Sequence, residues 1–284
     1  MTGSPPLACT VRGCGQPLVR TAQTWRCDGR HSFDVARSGY VSLLQPQDRR
    51  STSAGDRAQA VEARIRLNAG GVGSYLLEQL VRETLSLGVP DGATVVELGC
   101  GTGEFIGRLL ASRPVVAVGI DLSKPAITHA ARMHPAATWV VANADRRLPV
   151  LDASVDLVVS IHARRNATEC ARILKPGGWL LVVVPAHDDL AELREAVLGQ
   201  ASSTDRATAV VEEHAAAFQE VRRFECRERT PLSTAQLDDL LTGTYRGARL
   251  SVQAARQTLA AMTLTLASEA LLFTHRGEPV PLQR

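Results

Sequence analysis

The sequence predicts an α/β fold: a mostly parallel, doubly wound sheet preceded by a small cysteine-bearing module. Three observations carry this expectation. Strand-like and helix-like stretches alternate from Ala93 to Val184, a pattern that builds a parallel sheet covered on both faces. A glycine-rich turn, Gly99-Cys100-Gly101-Thr102-Gly103, joins the first of these strands to the helix after it. Three of the six cysteines fall within the first 27 residues, a clustering that points to a bound metal.

The elements follow in order. Residues 1–44 are short-period, turn-rich and cysteine-bearing, and form the metal-binding module. Residues 45–75 hold a polar linker, QPQDRRSTSAGD, and a helix from Arg57 to about Leu67. The α/β domain takes 76–284. Its lead-in is a helix over Tyr75–Leu87, with Leu76, Leu77, Leu80, Val81 and Leu85 on one face. Strands are expected at Ala93–Leu98, Val115–Ile120, Thr138–Ala142, Val155–Ile161 and Gly178–Val184. The intervening helices are Glu104–Ala111, Lys124–Met133 and Asn166–Leu174. A helical stretch, Leu190–Leu198, follows, and Leu264–Thr274 suits a last, antiparallel edge strand.

Composition sets outer bounds. With 45% hydrophobic and 21% charged residues the chain reads as an ordinary globular protein. It has no apolar run long enough to cross a membrane and no secretory leader, so a reducing cytoplasmic location is expected and disulfides are not. The net charge of +3 permits a nucleic-acid partner without demanding one. Lys124 and Lys175 are the only lysines; arginine supplies the remaining positive charge. Codon bias accounts for much of that total, but Arg12, Arg20, Arg26, Arg30, Arg37, Arg49 and Arg50 crowd into the N-terminal end.

Cys9 and Cys14, then Cys27 and His31, supply three thiols and an imidazole in two short pairs separated by a hairpin-sized spacer. That set suits tetrahedral zinc, and four protein ligands leave no open position, so the zinc is structural. A module this small has little core of its own and needs the metal to fold.

The glycine turn has the spacing G-x-G-x-G rather than the G-x-G-x-x-G of dinucleotide sites, and Glu97 precedes it. It resembles the first motif of class I methyltransferases that use S-adenosylmethionine (SAM). That resemblance places Glu97 at the methionine end of SAM, on a turn made of Gly99, Gly101, Thr102 and Gly103. Asp121, at the end of the next strand, suits the ribose hydroxyls. Asn143 and Asp145, after the third strand, are both candidates for the adenine. Leu148-Pro149, Asp152, Asp156 and Leu174-Lys175-Pro176-Gly177-Gly178 follow in the family's register.

The order of parts also resembles the large-subunit (23S) ribosomal RNA guanine-N1 methyltransferases, one branch of which confers resistance to tylosin- and mycinamicin-type macrolides. The residues that carry this are Cys9…Cys14-Gly-Gln-Pro-Leu, the block from Phe33 to Leu44, Gly55-Asp56…Ala63-Arg64, and the SAM turn. The resemblance implies methylation of a guanine N1 in a 23S rRNA hairpin and action as a homodimer. The zinc module and its arginines would grip the RNA. After the fourth strand the resistance branch carries an aromatic followed by Ala-Pro-Arg-Asn; this sequence reads Ile161-His162-Ala163-Arg164-Arg165-Asn166. His162, Arg165 and Asn166 are thus the expected catalytic residues, with His162 the proton acceptor for N1. A family histidine that precedes a leucine is displaced here to His187, which the resemblance adds to the cofactor-binding residues, with Asp189 before Leu190. The aromatic-bearing C-terminal segment of relatives reads Leu241-Thr242-Gly243-Thr244-Tyr245-Arg246. Guanine N1 carries a proton and pairs with cytosine, so the base must be unpaired or flipped out. Two other readings are an antibiotic-tailoring methyltransferase for small molecules and a non-catalytic binding protein. The basic zinc module weighs against the first, and the intact Glu97, Gly99, Gly101, Gly103 and Asp121 against the second.

Overall fold

The computed structural model describes residues 4–46, 55–199, 205–243 and 259–277. Most of the linker, with Arg49 and Arg50, and Tyr245 and Arg246 near the C-terminus lie outside these residues.

The N-terminal module is a three-stranded antiparallel sheet of β1 (Val19–Arg20), β2 (Thr24–Arg26) and β3 (Ser32–Asp34). Strands of two or three residues cannot stand alone, and the module leans on the larger domain. Leu7, Leu18 and Trp25 share one buried cluster with Val96, Leu98 and Ile120 of the large sheet. Leu7 bridges to Val150, and the Ala8 N–H donates to the Pro149 carbonyl at 3.0 Å. The chain then enters the large sheet itself. Strand β4 (Val41–Ser42) pairs in parallel with β7 (Thr138–Val141), with Val41 opposite Val140.

Two helices follow, α1 (Ala58–Ala69) and α2 (Ser74–Ser86), separated by a turn in which Gly71 and Gly73 take positive φ. The alternation then runs as expected: β5 (Thr94–Leu98), α3 (Glu104–Ser112), β6 (Val116–Asp121), α4 (Lys124–Met133), β7, β8 (Val155–Ile161), α5 (Ala167–Ile173) and β9 (Leu174–Pro185). The five residues of β5 are all buried, as they must be in a strand covered on both faces. The C-terminal part adds α6 (Ala191–Leu198), α7 (Arg206–His214), β10 (Phe218–Leu232), α8 (Thr234–Gly243) and β11 (Met262–His275).

The eight strands lie in the order β10-β11-β9-β8-β5-β6-β7-β4. The six from β9 to β4 run parallel, while β11 and β10 are antiparallel to their neighbours. Leu264–Thr274 was expected as the edge strand; β11 covers it and is antiparallel, but β10 lies outside it and takes the edge. β10 pairs with β11 from Phe218 to Leu232 through one bulge near Val221. Glu220, Arg223, Glu225, Arg227 and Arg229 present charge to solvent, which protects an exposed edge from pairing with other chains.

Strand order reverses between β5 and β8, so the crevice at their carboxyl ends is the topological switch point where ligands bind in such sheets. A third apolar cluster, Leu193, Leu232, Leu237, Leu241 and Leu264 with Val72 against it, joins α6, α8 and the near ends of β10 and β11. No described helix is long and apolar enough to cross a membrane.

Candidate functional site

The four metal-ligand candidates converge. The ligating atoms of Cys9, Cys14, Cys27 and His31 all lie within 4.8 Å of one another. The His31 Nδ1 is 3.4 Å from the sulfurs of both Cys9 and Cys27, and the Cys14 and Cys27 sulfurs are 3.8 Å apart. A regular tetrahedron built on zinc bond lengths has edges of about 3.8 Å between thiolates and about 3.5 Å from thiolate to imidazole nitrogen. The set therefore fits zinc. The Gln16 side-chain oxygen accepts from the Gly29 N–H at 2.7 Å and ties the two ligand-bearing turns together. Burial raises the Cys9 thiol to about 12, and its thiol neighbours add to the rise. Burial acts upward on Cys27 too, but hydrogen bonds from His31 and the neighbouring thiols bring it to about 7. Zinc binding would displace the thiol protons and stitch the turns together.

The glycine turn lies at the switch point. Gly99 has φ 68°, and a Cβ there would sit 2.3 Å from the Cβ of Ala163, so the ends of β5 and β8 abut. Gly103 caps α3 with φ 84°; a Cβ on it would strike the Trp139 ring at 2.5 Å. Asp121 lies across the turn: its Oδ2 accepts from the Gly101 N–H at 2.9 Å and its Oδ1 from the Ser123 N–H at 2.7 Å. A carboxylate has about four acceptor sites, so both oxygens keep room for ribose hydroxyls. Glu97 is 4% exposed, and its Oε2 is a buried acceptor with no hydrogen-bond partner among the described residues. Burial, and then the charge of Asp121, push its carboxyl well above the usual range. An ammonium group placed here would satisfy the orphaned oxygen, and the methionine end of SAM carries one. Asn143 is buried, with its Oδ1 accepting from the Asp145 N–H at 3.0 Å. Thr102 is buried and accepts from the Asn68 side chain at 3.3 Å. The donor and acceptor set fits SAM.

The expected catalytic residues separate. His162 leaves β8 in the left-handed region at φ 51°, and its Nε2 lies 2.9 Å from the Ser268 Oγ. The residue is exposed to solvent beside this contact. Burial, and then the charge of Arg206, lower its pKa to about 4, so the ring is neutral at pH 7. Arg165 and Asn166 point elsewhere. The Arg165 side chain is 8% exposed; it donates to His214 Nε2 at 3.3 Å and to the Glu213 carboxylate at 3.2 Å, which fastens α7. Asn166 caps α5, its Oδ1 accepting from the Glu169 N–H at 3.2 Å. These contacts commit both side chains to structure. Arg164, by contrast, is exposed and reaches Asp145 at 3.2 Å, spanning from the end of β8 to the adenine-side loop. His187 follows β9 on the exposed surface, 3.9 Å from Asp188.

Spacing alone missed the part played by α1. The Arg64 guanidinium pairs with Asp56 and reaches over Gly101, and Asn68, one turn on, holds Thr102. The signal available was the pairing of Gly55-Asp56 with Ala63-Arg64 at a helix start.

Comparison with known proteins agrees with this geometry. Residues 8–52 match the family model for the RlmA N-terminal zinc ribbon, and 95–178 match that for a methyltransferase domain. The 23S rRNA (guanine(748)-N(1))-methyltransferase of Streptomyces fradiae is 41% identical over 188 residues, 65% of each chain. A provisionally named 23S rRNA (guanine-N(1)-)-methyltransferase of Micromonospora griseorubida is 38% identical over 207 residues, 66% of this chain and 68% of that one. The chain belongs to the 23S rRNA (guanine-N1)-methyltransferase family. A further family protein, YxjB of Bacillus subtilis, also provisionally named, is 36% identical over 58% of this chain and 59% of its own. The chain thus matches a little under two thirds of the Streptomyces relative and just over two thirds of the Micromonospora one.

Proposed function

We propose that this chain transfers a methyl group from SAM to N1 of a guanine in a hairpin loop of 23S rRNA. The observation that carries the proposal is the joining of an arginine-bearing zinc ribbon to the sheet that holds the SAM turn. Arg12, Arg20, Arg26, Arg30 and Arg37 are all exposed, against Asp28 and Asp34 as the ribbon's only acids within residues 4–46. The ribbon backbone bonds directly to the loop that runs on from Asn143 and Asp145. A basic surface built onto the cofactor domain suits a large polyanion better than a small acceptor, and phosphate contacts of this kind position an RNA without reading its sequence. Structured RNA presents unpaired bases in its loops, and a loop guanine exposes N1.

SAM supplies an activated methyl group, so the chain's task is alignment and proton handling. Glu97 would hold the ammonium, Asp121 the ribose and Asn143 the adenine edge. His162 is the group placed to meet the target base: its ring is neutral at pH 7 and accepts a proton, and Ser268 fixes its orientation. A ring titrating this low is a weak base, so its effect comes from placement more than from basicity. We further propose that the protein acts in the cytoplasm as a homodimer and protects ribosomes against macrolides of the tylosin and mycinamicin type.

The test is incubation of the purified protein with labelled SAM and unmodified large-subunit RNA, followed by reverse transcription. Methylation at N1 blocks the pairing edge and gives one discrete stop in a hairpin loop. Label without a stop moves the methyl group to another atom. No label in RNA with SAM binding intact refutes the ribosomal reading.

A further inference from the structure

We infer that Arg64 receives the α-carboxylate of SAM, an assignment that rests on SAM being the cofactor. The methionine end of SAM is a zwitterion, and its two charges need opposite partners. The neighbourhood of the turn is acidic: Asp121 and Glu104 both bear on Glu97, and Asp56 bears on Asp121. The positive charge of Arg64 acts against this, lowering the pKa of Asp121. A ligand carboxylate entering this field would be repelled unless it met that guanidinium.

Geometry puts the guanidinium where it is needed. Among the described residues, a Cβ on Gly101 would have the Arg64 Nη1, at 3.8 Å, as its one neighbour within 4 Å. The side chain is held from two sides. Asp56 pairs with its Nη2. α8 presses on its stem: a Cβ on Gly243 would lie 3.1 Å from the Arg64 Cγ. Asp56 is itself anchored, because its carbonyl accepts from the Ser123 Oγ at 2.9 Å. Gly55 fits only as glycine there, since a Cβ would lie 2.8 Å from the Ser123 backbone. Four residues beyond Arg64, Asn68 donates to Thr102, so one face of α1 lies across the turn at two successive points.

A donor also remains unused. The Arg64 Nε is buried and has no hydrogen-bond partner among the described residues. Guanidinium offers five N–H donors in a planar fork that matches a carboxylate with two parallel bonds. With Nη2 committed to Asp56, Nη1 is the donor over the glycine, and it is the one placed to meet a ligand carboxylate there. Lysine would provide charge without the fork.

Calorimetry with two ligands tests this: SAM, and decarboxylated SAM, which lacks only the carboxylate. The wild-type protein should bind SAM about 30-fold more tightly, the worth of one charge-assisted hydrogen bond. R64Q should lose that preference by weakening SAM alone, with decarboxylated SAM bound within about twofold of wild type. R64K should recover part of it. Equal weakening of both ligands in R64Q, or a wild-type protein that does not distinguish them, overturns the assignment and leaves Arg64 a packing residue. A wild-type protein that binds neither ligand removes the SAM reading itself, and this assignment with it.

Discussion

Glu97→Gln should make the unliganded protein more stable and the SAM complex weaker. Glu97 is 4% exposed, one of its oxygens has no partner, and its carboxyl is held well above the usual range by burial and then by Asp121. A carboxyl raised in the folded state contributes stability that is fully present below its unfolded value of 4.5 and is lost as pH rises through the folded one. Over that window the unfolded chain releases a proton that the folded chain keeps, at about 1.4 kcal/mol per pH unit. Gln does not titrate, so the stability advantage of Glu97→Gln should widen by up to about 1.4 kcal/mol for each unit from pH 5 to pH 7. Urea unfolding at pH 5, 6 and 7 measures it. Saturating SAM should offset that advantage, because an ammonium paired with ionised Glu97 loses about 1.5–3 kcal/mol when the charge goes, roughly 10- to 150-fold in affinity. A stability difference that stays flat with pH, or SAM affinity unchanged by the substitution, would refute this account of the buried carboxyl.

Other perturbations probe other parts. Chelating the zinc, or Cys27→Ala, should unfold the ribbon and expose Trp25, now 2% accessible; tryptophan fluorescence should shift to the red, and an unmoved spectrum would show the ribbon folding without metal. Gly119→Ala places a Cβ 2.3 Å from the Trp139 ring and 2.9 Å from the Cys100 sulfur, and should destabilise by about 1–3 kcal/mol in urea unfolding. Arg172→Ala should cost about 2–4 kcal/mol, because Arg172 donates to the Leu148 and Val150 carbonyls and bridges Glu169 and Asp152; Lys should restore only part of this.

Much of the fold was legible because its signals are local. The runs at 94–98, 116–121 and 155–161 are β-branched and apolar enough to mark strands without any knowledge of their partners. The glycine turn and Asp121 could be read for the same reason, as each has a fixed offset from a strand end. β10 could not. Its sequence, FQEVRRFECRERTPL, alternates charge with partly buried residues and becomes a strand only by pairing with β11, some forty residues away. β4 is two residues long and exists only because β7 offers an unpaired edge. At the site, Arg165 and Asn166 share a motif with His162 yet their side chains make contacts elsewhere, at α7 and the start of α5, while His162 takes a left-handed φ. Chain proximity did not reveal that divergence. The reach of Arg64 across Gly101 depends on how α1 docks, which no spacing specifies.

The short strand Val41–Ser42 has a consequence beyond its length. It is the far boundary of the large sheet and is carried there by the ribbon. Without it, β7 would present a bare row of amides and carbonyls, formed of buried apolar residues on both faces, to any neighbouring chain. If the ribbon needs its metal to fold, losing the metal should uncover this edge and favour self-association.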